Sequence, residues 1–401
     1  MKKIYLVLYT SRLGIGGIQT FVLQMAEALQ AYPNVQVAIF CHYPEWSENQ
    51  GIPKGVDLWA LSKSSLLIKV INKLRNLVKI IHPQFDLKEW LTKRYFFKQI
   101  KKAQKQHQVV IHNNIQIGDA LVYATQQQLG VPYITTLHGA YKHILREEVS
   151  ATEEEKLRQV LVRLLETASS IVYLSSKNLE PFYKLLPKET IARYPKFERI
   201  YNGLAAPPVP VKDTNTKHLV FGMVARGHPD KGWIDVMEVA QELIQEGNIN
   251  FELRLFADGD YLKNLMEERD WLPQIQYLGA TNTPLKEIVT FDVGLLPSYY
   301  EEMPFTIIEY LACGKVCIAT DVGAIAEMME APNGEVAGIL IPVNKEQKVD
   351  RVALKKALLH FLKEPTAVGS YQQAVQGAFE KFDLKHTAKN YYELYKNAIE
   401  K

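Results

Sequence analysis

Short apolar runs alternate with stretches of helical spacing along most of the chain. KIYLVLYTS, NVQVAIFCH, VVIHNN, VPYITTLHG and SSIVYLSS are nearly continuous in apolar residues. That pattern fits strands buried on both faces better than a half-exposed sheet. Between them, TFVLQMAEALQ and the segments near 116–129, 151–168 and 177–186 carry apolar residues at helical intervals. A stretch rich in proline and polar residues, GLAAPPVPVKDTNTKH, then reads as a linker. A second series follows with HLVFGMV, INFELRLF, IQYLG, FDVGLLPS, KVCIATD and GILIP, and helices complete the chain. Strand and helix in alternation predict parallel sheets covered on both faces. In such folds ligands collect at the carboxyl ends of the strands.

Length agrees with two cores, since 401 residues exceed what one core usually holds. Apolar residues at 47% and charged ones at 23% are ordinary for a globular protein, and a net charge of +3 argues against nucleic acid as a main partner. That charge is unevenly spread. Lys63 to Lys105 holds twelve Lys and Arg against Asp86 and Glu89, so this segment carries +10 and the remainder −7. Within it Leu66, Leu67, Val70, Ile71, Leu74, Leu77, Val78 and Ile81 recur at helical spacing, and His82-Pro83 separates them from a second basic, aromatic helix, LKEWLTKRYFFKQIKKAQKQ. Such a face suits anionic lipid. An apolar stripe packed on the core beneath solvated lysines has the same pattern. No apolar run reaches the ~18–20 residues of a membrane span. The opening MKKIYLVLYTSRLG reads as a first core strand rather than a signal peptide, because Arg12 interrupts it early. Cys41, Cys313 and Cys317 form no disulfide framework, which fits a reducing cytoplasm.

Candidate chemistry concentrates between Phe291 and Glu327. A buried strand, a polar aromatic loop, a helix opening near Pro304, Gly314 as its stop and another strand make a β-α-β unit. The helix would aim its free N–H groups and positive dipole end at the loop, as an anion such as a diphosphate requires. Glu309 would lie about 7–8 Å further along the axis, where a carboxylate can grip vicinal hydroxyls, while Glu301 stands at the mouth. Solvent-facing acids would show the same spacing. The loop RLGIGGIQ, with Gly14, Gly16 and Gly17, lets backbone approach a ligand, though it lacks the dinucleotide and P-loop spacings. Arg226 and Lys231 flank the first loop of the second series, and two fixed cations there can neutralise a diphosphate without a metal. His112, Asn113, His138 and Gly139 stand at strand ends, where a histidine is more often structural. Asp258-Gly259-Asp260 is formally Asp-x-Asp, but it reads as a tight turn with Asp260 capping the next helix.

PSYYEEMPFTIIEYLACGKVCIATDVGAIAE resembles the C-terminal signature of glycosyltransferase family 4, retaining enzymes of the GT-B fold whose motif is Glu, seven residues, Glu. Glu301 and Glu309 reproduce it, with Glu302 where the family has a small residue. The resemblance implies an α/β chain with two Rossmann-like parallel-sheet domains facing each other across a cleft. Residues 1–203 would form the acceptor-side domain, 204–216 the linker and 217–383 the donor-nucleotide domain, with 384–401 a helix crossing back. It implies a retaining, metal-independent hexosyl transfer from a nucleoside-diphosphate sugar to a glycan or lipid-linked acceptor in cell-surface polysaccharide synthesis. UDP-sugars are favoured and GDP-mannose stays open. The setting would be cytoplasmic or at the inner membrane face, with no cofactor beyond the donor. Gly16 and Gly17 match the family's Gly-Gly loop lining the donor, and TTLHG gives His138 a contact to the donor sugar. Arg226 and Lys231 match the diphosphate-binding pair, with Ala225 where glycine is usual. The turn at Gly279 would hold the base, N–H groups near Met303 and Phe305 the diphosphate, Glu309 the ribose, and Glu301 the sugar. An epimerase or phosphorylase on the same fold, or a non-catalytic partner of a true transferase, remains open.

Overall fold

The computed structural model describes residues 3–13, 16–43, 51–60, 73, 86–139, 141, 149–194, 196–207, 218–344, 346 and 348–400. Gly14, most of the basic segment from 63 to 85 and positions 208–216 of the expected linker lie outside the described residues. The chain divides into two compact units, Met1–Asn202 with Leu384–Lys401, and Gly203–Asp383.

In the first unit the strands are β1 (Ile4–Arg12), β2 (Val35–Tyr43), β3 (Asp57–Ala60), β4 (Gln108–Asn113), β5 (Tyr133–Leu137), β6 (Ser170–Tyr173) and β7 (Phe197–Arg199). They form one parallel sheet in the order β3-β2-β1-β4-β5-β6-β7. The helices between them are α1 (Gly17–Gln30), α2 (Leu87–Gln104), α3 (Asp119–Leu129), α4 (Ala151–Thr167), α5 (Glu180–Leu185) and α6 (Lys188–Ala192). Leu6, Val7 and Leu8 are all completely buried, so successive residues of β1 are covered on both faces, as its unbroken apolar run predicts. The terminal helix, Leu384–Glu400, packs on α1, β4 and β5 of this unit. It is fixed by two buried phenols: Tyr395 Oη lies 2.8 Å from His112 Nδ1, and Tyr391 Oη 2.9 Å from Thr136 Oγ1.

The second unit holds β8 (Leu219–Val224), α7 (Trp233–Gln245), β9 (Phe251–Phe256), α8 (Tyr261–Glu268), β10 (Ile275–Tyr277), α9 (Pro284–Ile288) and β11 (Val293–Leu296). α10 (Phe305–Ala312), β12 (Val316–Thr320), α11 (Ile325–Met329), β13 (Gly338–Ile341), α12 (Arg351–Lys363), α13 (Ala367–Ser370) and α14 (Gln372–Glu380) complete it. Its sheet is parallel too, in the order β10-β9-β8-β11-β12-β13. The strand order therefore reverses between β1 and β4 in one unit and between β8 and β11 in the other, and those reversals are where an open parallel sheet leaves a crevice.

Two glycines let aromatic rings lie close against this sheet, one of them from α10. A Cβ on Gly294 of β11 would lie 2.6 Å from the Tyr310 ring, and one on Gly222 of β8 would lie 2.2 Å from the Phe291 ring. With that space free, the Tyr310 hydroxyl donates to Leu295 O at 2.9 Å and accepts from Val224 N–H at 3.2 Å. One buried phenol thus fixes α10 across the switch point.

Candidate functional site

In the second unit the reversal brings the loop after β8 beside the loop after β11. Lys231 ends a short 3₁₀ turn (Pro229–Lys231), and its side chain is almost wholly buried. Lys231 Nζ donates to Glu301 Oε1 at 2.7 Å, and Ser298 Oγ donates to the same oxygen at 2.8 Å. Two residues treated separately in the sequence thus form one ion pair. Backbone contacts press the loops together. Gly232, at φ 76°, turns the chain into α7 so closely that a Cβ there would lie 2.1 Å from Pro297 O. Tyr299 N–H donates to Asp230 O at 2.7 Å. On the other side Ala324 N–H donates to Glu302 O at 2.7 Å, and a Cβ on Gly323 would lie 2.3 Å from Glu301 O. Both glycines have positive φ, which only glycine adopts at little cost. Glu302 is not among the residues with positive φ and accepts from the Tyr300 hydroxyl at 3.1 Å, so the larger residue sits here without a left-handed backbone.

Pro304 caps α10 from an extended conformation, and no side chain bonds to the cap. The first N–H groups of a helix have no partner within it, and Pro304 has no N–H to offer, so the N–H of Phe305 is the first available to an anion. Met303 is buried and Phe305 half-buried. Glu309 lies in the interior turn of α10 with 8% exposure. Burial pushes its carboxyl up to about 7, and among the described residues no cation pairs with it. A carboxylate so placed gains from hydroxyl donors that a ligand brings.

Arg226 follows β8 and is exposed, and among the described residues no acceptor meets its guanidinium. Its carbonyl accepts from the Trp233 indole at 3.0 Å, which ties the start of the loop to α7. The Asp258–Asp260 turn differs from expectation. Gly259 takes φ 74° as a turn requires, but Asp260 makes no side-chain cap on α8 because its backbone is already helical. Asp258 Oδ1 instead accepts from Gly227 N–H at 2.9 Å, fastening the Arg226 loop to the end of β9. Gly279, at φ 79°, accepts from Ala257 N–H at 3.0 Å and has open space where a side chain would be. Among the described residues no cluster of His, Cys, Asp and Glu could hold a metal ion.

In the first unit Gly16 and Gly17 open α1, with Gly16 at φ 154° and no side-chain cap. His138 follows β5. Its Nε2 lies 3.2 Å from Asn114 Oδ1, its ring meets the edge of Phe21, and burial pushes its imidazole down to about 3, so it is neutral at pH 7. Asn114 in turn donates to Tyr9 O and His112 O. His112 belongs to the core, with Nδ1 against Tyr395 and Nε2 2.7 Å from Thr136 Oγ1. Asn113 donates to Asp119 Oδ1 at 2.7 Å. Asp119 is also bonded by the hydroxyl of Tyr141, and burial pushes its carboxyl up to about 7. Tyr141 is the non-glycine residue with positive φ, 68°, among the described residues. A groove of about 930 Å³ lined by Tyr5, Lys54, Trp59, Lys102 and His107 lies at the opposite, amino-terminal end of the sheet, away from these residues.

The sequence did not reveal three supports of the site: the Lys231–Glu301 contact, the Gly232 and Gly323 approaches, and buried Asp235 in the first turn of α7. Asp235 had a visible signal, a carboxylate set among Trp233, Val236 and Met237 on an otherwise apolar face.

Comparison with known proteins assigns a family model to each half. Residues 15–203 match Glycosyltransferase Family 4, and residues 218–364 match Glycosyl transferases group 1. A curated relative, the putative glycosyltransferase EpsF of Bacillus subtilis, is 31% identical over 160 residues, covering 38% of this chain and 41% of its own. This chain spans less than half the length of that relative. Among solved structures, sucrose-phosphate synthase from Thermosynechococcus elongatus superposes with TM-score 0.70 at 18% identity over 98% of both chains. HepE of Anabaena, solved in complex with UDP and glucose, superposes with TM-score 0.68 at 15% identity, covering 97% of this chain and 98% of its own. Both likenesses establish the fold, GT-B.

Proposed function

This chain belongs to the family 4 type of glycosyltransferases, and we propose that it moves a sugar, with retention, from a nucleoside-diphosphate sugar to a glycan or lipid-linked acceptor of the cell surface. The observation that carries this is the pairing of buried Lys231 with Glu301 at the mouth of α10, with buried Glu309 further along the same helix. Lys231, Arg226 and the N–H groups near Met303 and Phe305 would take the diphosphate charge. Glu309 would hold the ribose hydroxyls, Gly279 the base by backbone, and Glu301 the sugar. His138, neutral, would donate or accept one hydrogen bond to the sugar, beside backbone at Gly16 and Gly17. The anomeric carbon–oxygen bond to the diphosphate would break as the acceptor oxygen attacks the same face. The acceptor proton would pass to the departing phosphate oxygen, as is usually proposed for the family. The protein's share would then be positioning and charge stabilisation without a metal. HepE's complex with UDP and glucose favours a uridine nucleotide as the first to test.

The test is a thermal-shift screen across UDP, GDP, ADP and TDP, each with and without EDTA. One nucleotide is expected to raise the melting temperature equally in both conditions. Stabilisation by none, or only with a divalent cation, would overturn the proposal. Incubation with the matching nucleotide sugar should release free nucleoside diphosphate without a new epimer, which separates transfer from epimerisation.

A lipid-linked acceptor would place the enzyme at an anionic membrane surface. Trp90 on α2 is 42% exposed with the Arg94 guanidinium 4.7 Å from its ring centroid, on a helix that buries Thr92, Phe96 and Ile100 on its other face. An exposed tryptophan among basic side chains suits the headgroup region. Among the described residues no helix is long and apolar enough to cross a membrane. Liposome flotation should recover the protein with anionic but not neutral vesicles, and absence from both would remove the membrane from the proposal.

A further inference from the structure

Tyr299, two residues before Glu301, is held at both ends. Its N–H donates to Asp230 O at 2.7 Å, next to Lys231 in the chain. Its hydroxyl donates to Asp235 Oδ2 at 2.7 Å. Asp235 is 3% exposed and sits in the first turn of α7, immediately after the Lys231 loop. Its other oxygen accepts from Arg351 Nε, on α12, at 2.6 Å. Arg351 also bonds to Glu238, one α7 turn further along, and Arg269 meets Glu238 at 2.5 Å. The buried carboxylate thus has a fixed partner for each oxygen, and neither the phenol nor the guanidinium can move without leaving it under-paired. Helix α7 consequently carries two things at once: the loop that presents Lys231, and the acceptor that anchors the loop presenting Glu301.

We propose that Asp235, Tyr299 and Arg351 are positioning residues that set the register between Lys231 and Glu301, and through it the site's affinity for the diphosphate of a nucleotide donor. The inference rests on the donor-site function proposed above. The triad is proposed to act by way of Lys231 and Glu301 rather than by contact with the donor. Tyr299 acts on Glu301 through the one intervening residue, Tyr300, and Arg351 acts by keeping the Asp235 carboxylate aimed. A triad that served only to hold α12 onto α7 would stabilise the unit and leave the ion pair indifferent to it.

A double-mutant cycle in the full-length chain separates the two. Tyr299→Phe keeps the ring and removes one hydroxyl. In the wild-type background it should weaken UDP binding, read by calorimetry, by about tenfold, as loss of one hydrogen bond to a charged group does. In a Glu301→Gln background the same substitution should change affinity less than about twofold, because the register it sets no longer matters. A donor-independent arm uses ¹³C-labelled lysine spectra, with the Lys231 signal assigned through Lys231→Arg. Tyr299→Phe should shift that signal toward its position in Glu301→Gln. Equal losses of affinity in both backgrounds, or an unmoved Lys231 signal in a folded Tyr299→Phe protein, would overturn the proposal. Should the wild-type chain bind none of UDP, GDP, ADP and TDP, the donor site itself would fail, and with it the affinity role, while the lysine spectra would still decide whether the triad sets the ion pair.

Discussion

Replacing Glu309 by glutamine removes the ionisable group from the interior of α10 while keeping its shape. Burial raises this carboxyl from 4.5 to about 7. At 1.36 kcal/mol for each pH unit, ionising it inside the fold costs roughly 3 kcal/mol relative to the unfolded chain. The folded state therefore binds more protons than the unfolded state between those values, and stability falls as pH rises through that window. The penalty is absent below about 4.5 and complete above about 7. A buried glutamine amide has its own cost of about 1 kcal/mol when imperfectly paired, which leaves a net gain of roughly 2 kcal/mol at alkaline pH. In a unit spanning 203 to 383 that corresponds to a melting temperature about 4–8 °C higher. Calorimetry at pH 8.5 should show Glu309→Gln melting above wild type by that margin, with the two within about 2 °C at pH 5. The same residue should act oppositely on ligand. Ribose hydroxyls would bond to the ionised carboxylate, so nucleotide binding should release a proton and tighten from pH 6 to pH 8 by up to about tenfold. Glu309→Gln should bind more weakly and lose that pH dependence. A variant no more stable than wild type at pH 8.5, or one that keeps the wild-type pH dependence of binding, would refute the reasoning.

Four further variants probe the supports around it. Lys231→Ala leaves the Glu301 carboxylate largely buried with Ser298 as a weak partner, and should destabilise the unit by about 3–5 kcal/mol and reduce nucleotide affinity by at least about tenfold. Adding Glu301→Gln should restore part of the stability but none of the affinity, measured by calorimetry on both variants. Tyr310→Phe loses the bond to Leu295 O and strips Val224 N–H of its acceptor, and should cost about 1–3 kcal/mol in urea unfolding. Gly323→Ala forces a Cβ toward Glu301 O from a positive-φ position. It should weaken nucleotide binding severalfold at a stability cost of about 1–3 kcal/mol, and unchanged affinity in a thermal-shift titration would show that the loop can yield without harm.

The two parallel sheets were legible because their strands are buried on both faces and so read as unbroken apolar runs. β1, β4, β5, β8 and β11 all lie where such runs predict them. What the runs do not contain is strand order. Lys231 and Glu301 stand 70 residues apart, and they meet because β8 and β11 are neighbours at the reversal of the sheet. Neither residue carries a mark of the other, so their pairing was not readable. Asp260 shows the limit of local rules. A capping residue was expected before α8, but the Gly259 turn delivers Asp260 in helical conformation, and Asp258 turns to the neighbouring Gly227 loop instead. His112 shows the opposite case. Its position at a strand end made it a candidate beside His138, yet both its ring nitrogens are bonded within the core, one of them by a phenol from the terminal helix 283 residues away.

The Lys231–Glu301 pair also bears on how such a site would meet an anion. Glu301 Oε1 holds the Lys231 ammonium group at 2.7 Å, so its position is fixed by the protein alone. On the proposed function a diphosphate would meet a cation already fixed in place, and reorganisation on binding would be confined to sharing one ammonium group between two acceptors. Electrostatic stabilisation is effective to the degree that it is built in advance. The close backbone approaches at Gly232 and Gly323, and the buried anchors at Asp235 and Tyr310, are the structural means of building it. On this argument the residues that matter most after Lys231 and the two glutamates would be those that touch no ligand at all.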